Sequence, residues 1–292
     1  MNPATVLEDR ATLARVRGRL LGLGYRLTGT WADAEDAADE ALARLVALGP
    51  GRAPDNPEAW LTTVATRLCL DRLRRRRNET YVGSWLPEPV DTALLPEETA
   101  ERRDGLRIAM LLAYEQLGPN ERAALVLREA YALPYEEIAG VLDAPAATVR
   151  QWASRARRRL DTDLRPPGRA PNELIERLVG AVLSGDLDAT IAVLTADARV
   201  ISDSDGRVNA ALRDIVGARK CAWFMIKGAE QTGGAIAPVE VNGEPALAMV
   251  TRGILRVAQL AVTDGRVDRV YFHCNPVKLT RLPLPEDLPV PT

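Results

Sequence analysis

The sequence predicts a multidomain chain in which two all-α domains precede an α+β domain. Two patterns support the helical part: apolar residues recur at three- and four-residue steps between residues 6 and 160, and a short turn near residue 143 separates two helices. A third pattern supports the α+β part. After residue 170, two helices are followed by short β-rich segments with Asn-Gly and Asp-Gly between them. A chain of 292 residues can hold two or three domains with separate cores.

The first predicted helices lie within residues 6–48 and are separated by Thr28-Gly29-Thr30. The apolar stripe of the first consists of Leu13, Val16, Leu20, Leu23 and Leu27. Acidic residues crowd the first turns of the second helix, where the helix dipole favours them. The residues of this helix that are predicted to pack inward are Ala38, Ala41, Leu42, Leu45 and Val46.

A loop rich in Gly and Pro, residues 49–57, precedes a third helix predicted over Glu58–Arg77. The inward positions of this helix are Trp60, Leu61, Val64, Leu68 and Leu73. The loop and the first half of the helix are suited to hold an unstacked base, and the arginine run at the end of the helix is suited to bind phosphates.

Residues 133–160 predict a helix-turn-helix. Its first helix is Tyr135–Leu142, the break is Asp143-Ala144-Pro145, and its second helix is Ala146–Leu160. The second helix has one apolar stripe, formed by Val149, Ala153, Ala156 and Leu160. Its other face suits a major groove, where Arg recognises guanine and Gln recognises adenine. That face consists of Arg150, Gln151, Ser154, Arg155, Arg157 and Arg158.

Composition sets further limits. The formal net charge is −2, but the basic residues are concentrated in two runs, and local patches rather than net charge govern binding to phosphate backbones. The three Cys are scattered, which favours free core thiols over disulfides, and a single His argues against a metal site built from His. No apolar run reaches membrane-spanning length and no signal peptide opens the chain, so we expect a cytoplasmic protein without membrane contacts.

The helical segments resemble the extracytoplasmic-function sigma factors of RNA polymerase. TGTWADAEDAADEALARLV and NPEAWLTTVATRLCLDRLRRRR resemble sigma region 2, and LGPNERAALVLREAYALPYEEIAGVLDAPAATVRQWASRARRRL resembles sigma region 4. The resemblance implies a region 2 domain over residues 1–77, a linker over 78–103 and a region 4 domain over 104–165. It implies a protein that binds core polymerase and promoter DNA and directs initiation, with no enzymatic activity, cofactor or metal of its own.

The resemblance also implies roles for individual residues. The polymerase clamp would contact Asp33, Glu35, Asp36 and Glu40, and region 4 would contact the polymerase flap. The minus-ten element would be read by Asn56, Trp60 and Thr63, with the DNA backbone held by Arg67, Arg72, Arg74, Arg75, Arg76 and Arg77. The minus-thirty-five element would be read by Thr148, Arg150, Gln151, Ser154 and Arg155, with phosphates held by Arg157 and Arg158.

The C-terminal part is predicted to contain a domain over residues 173–281 and a Pro-rich tail over 282–292. Its predicted elements are two helices, Asn172–Ser184 and Leu187–Leu194, and the strands Ala198–Ser202, Ala235–Val241, Ala246–Thr251, Leu255–Val262 and Val267–Cys274. The order resembles a nuclear-transport-factor-2-like (NTF2-like), or SnoaL-like, cone, in which helices cover the concave face of an antiparallel sheet.

Three short motifs resemble those of a sigma subfamily with such an extra domain: WLPEP in the linker, SDSDGRV, and NPVKL near the end. The resemblance implies that the domain regulates the sigma domains in cis and adjusts their spacing. The implied regulatory residues are Trp85, Leu86, Pro87, Glu88, Pro89, Asp205, Gly206, Arg207, Asn275, Pro276, Lys278 and Leu279. The linker motif is also compatible with a surface strap over the first domain.

Other functions remain open from the sequence. The cone could be a weak enzyme whose general acid/base groups are among Asp203, Asp205, Tyr271 and His273. It could instead bind a small apolar ligand as a signal. A stand-alone repressor would need tight duplex binding without polymerase, which the acidic patches beside both basic runs disfavour.

Overall fold

A computed structural model describes residues 9–49, 52, 54–76, 80–95, 104–231, 236–282 and 288. The chain divides into two compact units. The helical unit comprises Met1–Glu79 and Leu95–Pro166, and the sheet unit comprises Thr80–Leu94 and Pro167–Thr292. The part of the linker that carries WLPEP therefore belongs to the sheet unit rather than forming a strap on the first domain. Arg77, linker residues 96–103 and most of the Pro-rich tail lie outside the described residues.

The described residues of the helical unit form three long α-helices followed by four shorter ones. Their bounds are α1 Arg10–Thr28, α2 Trp31–Leu48, α3 Pro57–Arg76, α4 Ile108–Glu115, α5 Pro119–Glu129, α6 Tyr135–Leu142 and α7 Ala146–Asp161. Helices α6 and α7 form the predicted helix-turn-helix. The break between them has Asp143 in the left-handed region, with φ of 50°. The predicted stripe of α7 is buried.

Helices α1 and α2 pack closely because a glycine lies at their contact. A Cβ added at Gly24 would lie 2.8 Å from Ala34 Cα, which no side chain tolerates without a shift of the backbone. Helix α1 ends at Thr28 and is followed by Gly29, which has the left-handed conformation (φ of 67°) that is common just after a helix. The inward prediction for Val46 is wrong, since Val46 is 59% exposed. It follows the buried Leu45 by one residue, which rotates it about 100° away from the core.

The described residues of the sheet unit form a mixed sheet and three α-helices. The helices are α8 Asn172–Leu183, α9 Leu187–Ala192 and α10 Ala218–Ala229. The strands are β1 Gly168–Arg169, β2 Leu194–Asp203, β3 Ile215–Val216, β4 Ile236–Val241, β5 Glu244–Thr251, β6 Ile254–Thr263 and β7 Arg266–His273. Their order is β3-β2-β7-β6-β5-β4, with β1 pairing with the end of β6.

Strands β4 to β7 form the predicted antiparallel meander. Asn242-Gly243 and Asp264-Gly265 occupy two of its turns with positive φ at both residues, as the sequence predicts. A third turn uses Arg252-Gly253, again with positive φ at both positions. Outside the meander, β2 pairs with β7 in parallel, which makes the sheet mixed.

The two faces of this sheet have different coverings. Side chains alternate along each strand, so neighbouring residues face opposite sides. On one face, α8 and α10 enclose a cavity of about 450 Å³. On the other, a second apolar cluster is formed by Val241, Ala246, Ala248, Val250 and Val257, together with Leu279 and Leu288 from the C-terminal segment. Among the described helices of both units, none is long and apolar enough to cross a membrane.

Candidate functional site

Helix α7 presents the predicted base-reading residues on an exposed face. Arg150, Gln151, Ser154 and Arg155 are exposed, and Thr148 is half-buried at the start of the helix. Burial of the opposite stripe fixes the rotation of the helix, so this face points outward along its whole length.

Ion pairs already engage part of that face. Arg155 lies 3.0 Å from Glu121, and Arg157 lies 2.6 Å from Glu129. Arg150 stacks over Tyr135 with its Cζ 5.2 Å from the ring centroid. Exposed pairs of this kind contribute little, typically below about 1 kcal/mol, so they leave these arginines able to exchange a carboxylate for a phosphate or base.

The predicted minus-ten residues lie at the start of α3. Asn56 caps this helix, since its side-chain oxygen accepts a hydrogen bond of 3.2 Å from the Ala59 amide. Asn56, Trp60 and Thr63 line one wall of a cleft whose opposite wall includes Gly140 from α6. The predicted minus-ten surface therefore faces the helix-turn-helix in this structure.

The arginines of α3 differ in their partners. Arg67 donates hydrogen bonds of 3.0 and 2.9 Å to the carbonyl oxygens of Val141 and Gly140 in α6. Arg74 pairs with Asp71 at 2.8 Å. Arg75 is exposed. Of this set, Arg75 is therefore the side chain best placed to meet a DNA backbone without rearrangement.

The predicted polymerase-binding acids are also paired inside the helical unit. Arg72 forms ion pairs with both Asp33 and Asp36, the second at 2.9 Å. Glu40 pairs with Arg44 at 2.8 Å. The structure thus brings a residue predicted to hold DNA, Arg72, together with two residues predicted to contact polymerase.

Three further side chains, which the sequence did not single out in these roles, join α1–α3 to the helix-turn-helix domain. Arg122 from α5 is buried, donates to the Leu27 carbonyl and pairs with Glu115 at 2.8 Å. Arg76 reaches Glu115 as well, at 3.0 Å, and donates to the Thr28 carbonyl. The Tyr131 hydroxyl donates to the Arg19 carbonyl at 2.9 Å.

The three motifs that were predicted to be regulatory meet on the sheet face opposite the cavity. Residues 80–94, which we call the strap, lie against this face, with Leu86 fully buried. Lys278 donates hydrogen bonds of 2.6 Å to the Leu86 carbonyl and 2.7 Å to Asp203 Oδ2. The Leu86 amide donates to the same carboxylate oxygen at 2.8 Å. We call this cluster of Asp203, Lys278 and Leu86 the strap lock.

Aromatic residues enclose the strap lock. The Lys278 ammonium lies 5.0 Å from the Tyr81 ring centroid and 4.6 Å from that of Trp85, within range of cation–π attraction. The Tyr81 hydroxyl donates to Asp203 and accepts from Asn275 Nδ2 at 3.1 Å. Burial and the neighbouring Asp203 carboxylate raise the pKa of Tyr81, so the phenol stays protonated as a donor.

The other predicted regulatory residues also lie along the strap. Asp205 accepts a hydrogen bond of 3.3 Å from the Val82 amide and one from Arg207. A Cβ at Gly206 would lie 3.2 Å from Val82. The buried Glu88 pairs with Arg281 at 3.2 Å. Pro87, Pro89 and Leu279 are buried, whereas Pro276 is exposed.

The candidate acid/base residues of the enzyme hypothesis do not reach the cavity. Ser202, Phe272 and Cys274 line it, and these residues alternate with Asp203 and His273 on the same strands. Tyr271 likewise points to the opposite face, and Asp205 lies in the turn beneath the strap. The placement of catalytic groups inside the cone is therefore wrong for this chain.

His273 is instead a structural residue. Its Nε2 lies 3.2 Å from Gln259 Oε1, and Gln259 in turn donates to the Val241 carbonyl. Complete burial, with a smaller effect of the nearby Lys278, lowers the pKa of His273 to about 3. The imidazole is therefore neutral in the folded chain.

Sequence signals for the unpredicted residues were weak. Tyr81 is an aromatic residue in the linker, where a pure spacer has no need of one, and Asp203 lies within SDSDGRV but was considered only as a candidate acid/base group. Arg122 has no such signal, because arginine is usually a surface residue, and neither has Tyr131, which lies just beyond the end of α5. Their roles depend on which helices pack together.

The comparisons with known proteins agree with this architecture. Residues 13–79 match the family described as sigma-70 region 2, and residues 107–160 match that described as sigma-70, region 4. The ECF RNA polymerase sigma factor SigJ of Mycobacterium tuberculosis is 37% identical over 300 residues, which cover 95% of each chain. The probable ECF RNA polymerase sigma factor SigI of that species is 30% identical and covers 91% of this chain and 93% of its own.

A solved structure supports the same conclusion over both units. The crystal structure of Mycobacterium tuberculosis SigJ superposes with a TM-score of 0.76 and 33% identity, covering 95% of this chain and all of that one. The predicted fold class and the predicted family are confirmed.

The neutral His273 makes the stability of the sheet unit depend on pH. The unfolded chain binds a proton at His273 below about pH 6.5, and the folded chain does so only near pH 3. Stability from this residue is therefore present above pH 6.5 and is lost as the pH falls. We expect the free energy of unfolding to decrease by up to about 1.4 kcal/mol per pH unit between pH 6 and 4 from this group alone.

Urea unfolding of wild type and His273→Gln at several pH values measures this effect. The difference in the free energy of unfolding between the two proteins should shrink as the pH falls, because only wild type loses the His273 contribution. The titration of carboxylates affects both proteins alike. A difference that is constant from pH 7 to pH 4 contradicts the assignment of a neutral, buried His273.

Proposed function

The chain belongs to the extracytoplasmic-function sigma factors of RNA polymerase, and from this we propose how its residues divide the work of promoter recognition. As a member of this family it binds core polymerase and promoter DNA and directs transcription initiation. The observation that carries the residue assignment is the exposed polar face of α7 above a fully buried stripe. Core polymerase and chromosomal DNA are cytoplasmic, and we place the chain with them.

We propose that α7 reads the minus-thirty-five element and that the polymerase flap contacts the same domain. Gln151 and Ser154 lie on the exposed face in the N-terminal half of the helix or close to it, the part of a recognition helix that contacts base edges. Arg157 and Arg158 lie a turn further on and suit phosphates. The acidic surface of α2, with Asp33, Glu35, Asp36 and Glu40, is assigned to the polymerase clamp.

We propose that the helical unit must open when it binds a promoter. Two elements centred about 25 base pairs apart are separated by roughly 85 Å, at about 3.4 Å per base pair. In the structure, Arg67 joins α3 to α6 through hydrogen bonds of 3.0 and 2.9 Å. The same unit cannot keep this contact and reach both elements, so the structure corresponds to a closed state.

The base-reading assignment predicts different effects of two substitutions in α7. Gln151→Ala should reduce discrimination at one base pair of the minus-thirty-five element by about 1–3 kcal/mol, because one side chain reads one base edge. Arg158→Ala should weaken binding to all sequences evenly. It should also reduce the slope of log binding constant against log salt concentration by about one. Binding of holoenzyme to a library of duplexes, at two salt concentrations, separates these effects.

Arg10→Gln is the matched control, since it removes an exposed positive charge outside the proposed DNA surface. Equal losses at every base pair for Gln151→Ala, or failure of the holoenzyme to prefer any sequence, would contradict the assignment.

We further propose that the sheet unit regulates the sigma domains through the strap. The connection from Arg76 to Ile108 spans roughly 105 Å when fully extended, at about 3.4 Å per residue. Holding residues 80–94 on the sheet fixes the end-to-end distance of about half of that connection. A locked strap therefore limits how far the two promoter-binding domains can separate, and a released strap permits longer spacers.

The strap lock provides the variant that tests this proposal. Lys278→Met keeps the length of the side chain but leaves the Asp203 carboxylate, which is 1% exposed, without its cationic partner. Loss of one partner of a buried pair typically costs about 3–5 kcal/mol. We expect faster amide hydrogen exchange in residues 82–90 and initiation from promoters with a broader range of spacer lengths.

Lys220→Met, which removes an exposed lysine from α10, is the control. An unchanged spacer profile in Lys278→Met, in a sample whose strap exchanges faster, would exclude a role of the strap in spacing.

We propose no catalytic step for the sheet unit, because its candidate acid/base groups lie on the face opposite the cavity. The alternative that the cavity favours is ligand sensing. A small ligand enclosed between α8, α10 and the sheet would lie directly behind the strands that carry the strap lock.

A further inference from the structure

The cavity of the sheet unit has the size and lining of a small-molecule site. Its volume of about 450 Å³ lies within the range of about 300–1,000 Å³ found for ligand pockets. Leu178 and Val182 of α8 line one side, Phe224 of α10 another, and Leu247, Leu260 and Phe272 form the floor on the sheet. An interior of this kind favours the body of a hydrocarbon or aromatic molecule.

The charged side chains at the cavity are all basic. Among the described lining residues these are Lys227, Arg252 and Arg256, and none of the described lining residues is acidic. Lys227 is paired with Glu230 at 2.7 Å. Arg256 donates a hydrogen bond of 3.0 Å to the carbonyl oxygen of Asn209. The two arginines therefore supply positive potential at one end of an otherwise apolar cavity.

Large apolar side chains are exposed beside the cavity. Trp223 is 59% exposed and Leu183 is 53% exposed, and both belong to its lining. Exposed Trp and Leu on adjacent helices cost solubility and contribute nothing to the core, but they can cover a ligand that extends out of the cavity. At this position they would shield the apolar part of a bound molecule from water.

We infer that this cavity binds an apolar organic anion, with its hydrocarbon or ring system between α8, α10 and the sheet and its acidic group at Arg252 and Arg256. A neutral apolar molecule would give neither guanidinium group an anionic partner. A polar anion would leave the apolar walls unused. The combination of apolar walls and two basic residues favours a molecule with both properties.

The site is adjacent to the strap lock through the sheet itself. Ser202 lines the cavity and Asp203, the next residue, belongs to the strap lock. Phe272 and Cys274 line the cavity, while Asn275 contacts Tyr81 of the strap on the other side. Displacement of these strands by a ligand would therefore reach the strap, and this coupling, unlike the binding site, rests on the regulatory function proposed above.

Fluorescence titration of the full chain with 8-anilinonaphthalene-1-sulfonate, an apolar aromatic anion, tests the site without polymerase. We expect one dye per chain. Arg252→Gln/Arg256→Gln should weaken binding at least tenfold, because both basic groups are removed. The uncharged dye N-phenyl-1-naphthylamine should bind wild type more weakly than the anion and should be unaffected by the double substitution.

Arg266→Gln, an exposed arginine of β7 outside the cavity lining, is the matched control and should leave binding unchanged. Ala258→Phe fills the cavity from its floor and should abolish binding of both dyes. The two arginine substitutions, at the exposed Arg252 and the half-buried Arg256, insert no larger side chain into the core, and they leave the test valid even where Ala258→Phe fails to fold. Absence of dye binding, equal affinity for the two dyes, or undiminished binding by the double variant overturns the inference.

Hydrogen exchange with and without the anionic dye tests the coupling separately. Faster or slower exchange in residues 82–90 on dye binding supports it, and identical exchange at saturating dye excludes it. Neither result depends on initiation, so failure of this coupling is distinguishable from failure of the sigma function.

Discussion

Arginine side chains that bind the C-terminal carbonyls of other helices hold the helical unit closed. Arg122 and Arg76 donate to the Leu27 and Thr28 carbonyls at the end of α1, and Arg67 donates to carbonyls near the end of α6. The last carbonyls of a helix have no hydrogen-bond donor within it and carry partial negative charge. A guanidinium group supplies both the missing donors and a positive charge. These contacts decide which surfaces of α3 are open to the DNA binding that we propose for this helix.

The closed state and the promoter-bound state compete for the same groups. Arg67 is assigned to the DNA backbone, yet here it is bound to α6, and the minus-ten residues line a cleft opposite that helix. Polymerase and DNA must therefore favour the open state over the closed one. A shift from one per cent open to ninety-nine per cent open requires polymerase and DNA to bind the open state about 5.5 kcal/mol more tightly than the closed state. A few charge-assisted hydrogen bonds oppose opening, and a polymerase interface can supply the difference.

The sequence predicted those features that local patterns determine. The stripe of α7, the break at Asp143 and the two turns with Asn-Gly and Asp-Gly each depend on residues within one element. The ion pairs of Arg72, the hydrogen bonds of Arg67 and the parallel pairing of β2 with β7 depend on which distant elements meet, and no local pattern encodes that. Motif resemblance brought Trp85, Asp205 and Lys278 to attention, but only the structure shows that Asp203 and Tyr81 connect them.

The most direct test of this account is a distance measurement between the two promoter-binding domains. Spin labels at Val46→Cys in α2 and Thr162→Cys after α7 are suitable, because both positions are exposed and the native cysteines are buried, with burial raising the pKa of Cys69 to about 12. Pulsed electron resonance on the free chain should give one narrow, short distance. With core polymerase and promoter DNA, the distance should increase by tens of ångströms, toward the roughly 85 Å that separates the two elements. The same short distance in an initiating complex would contradict the closed-to-open account.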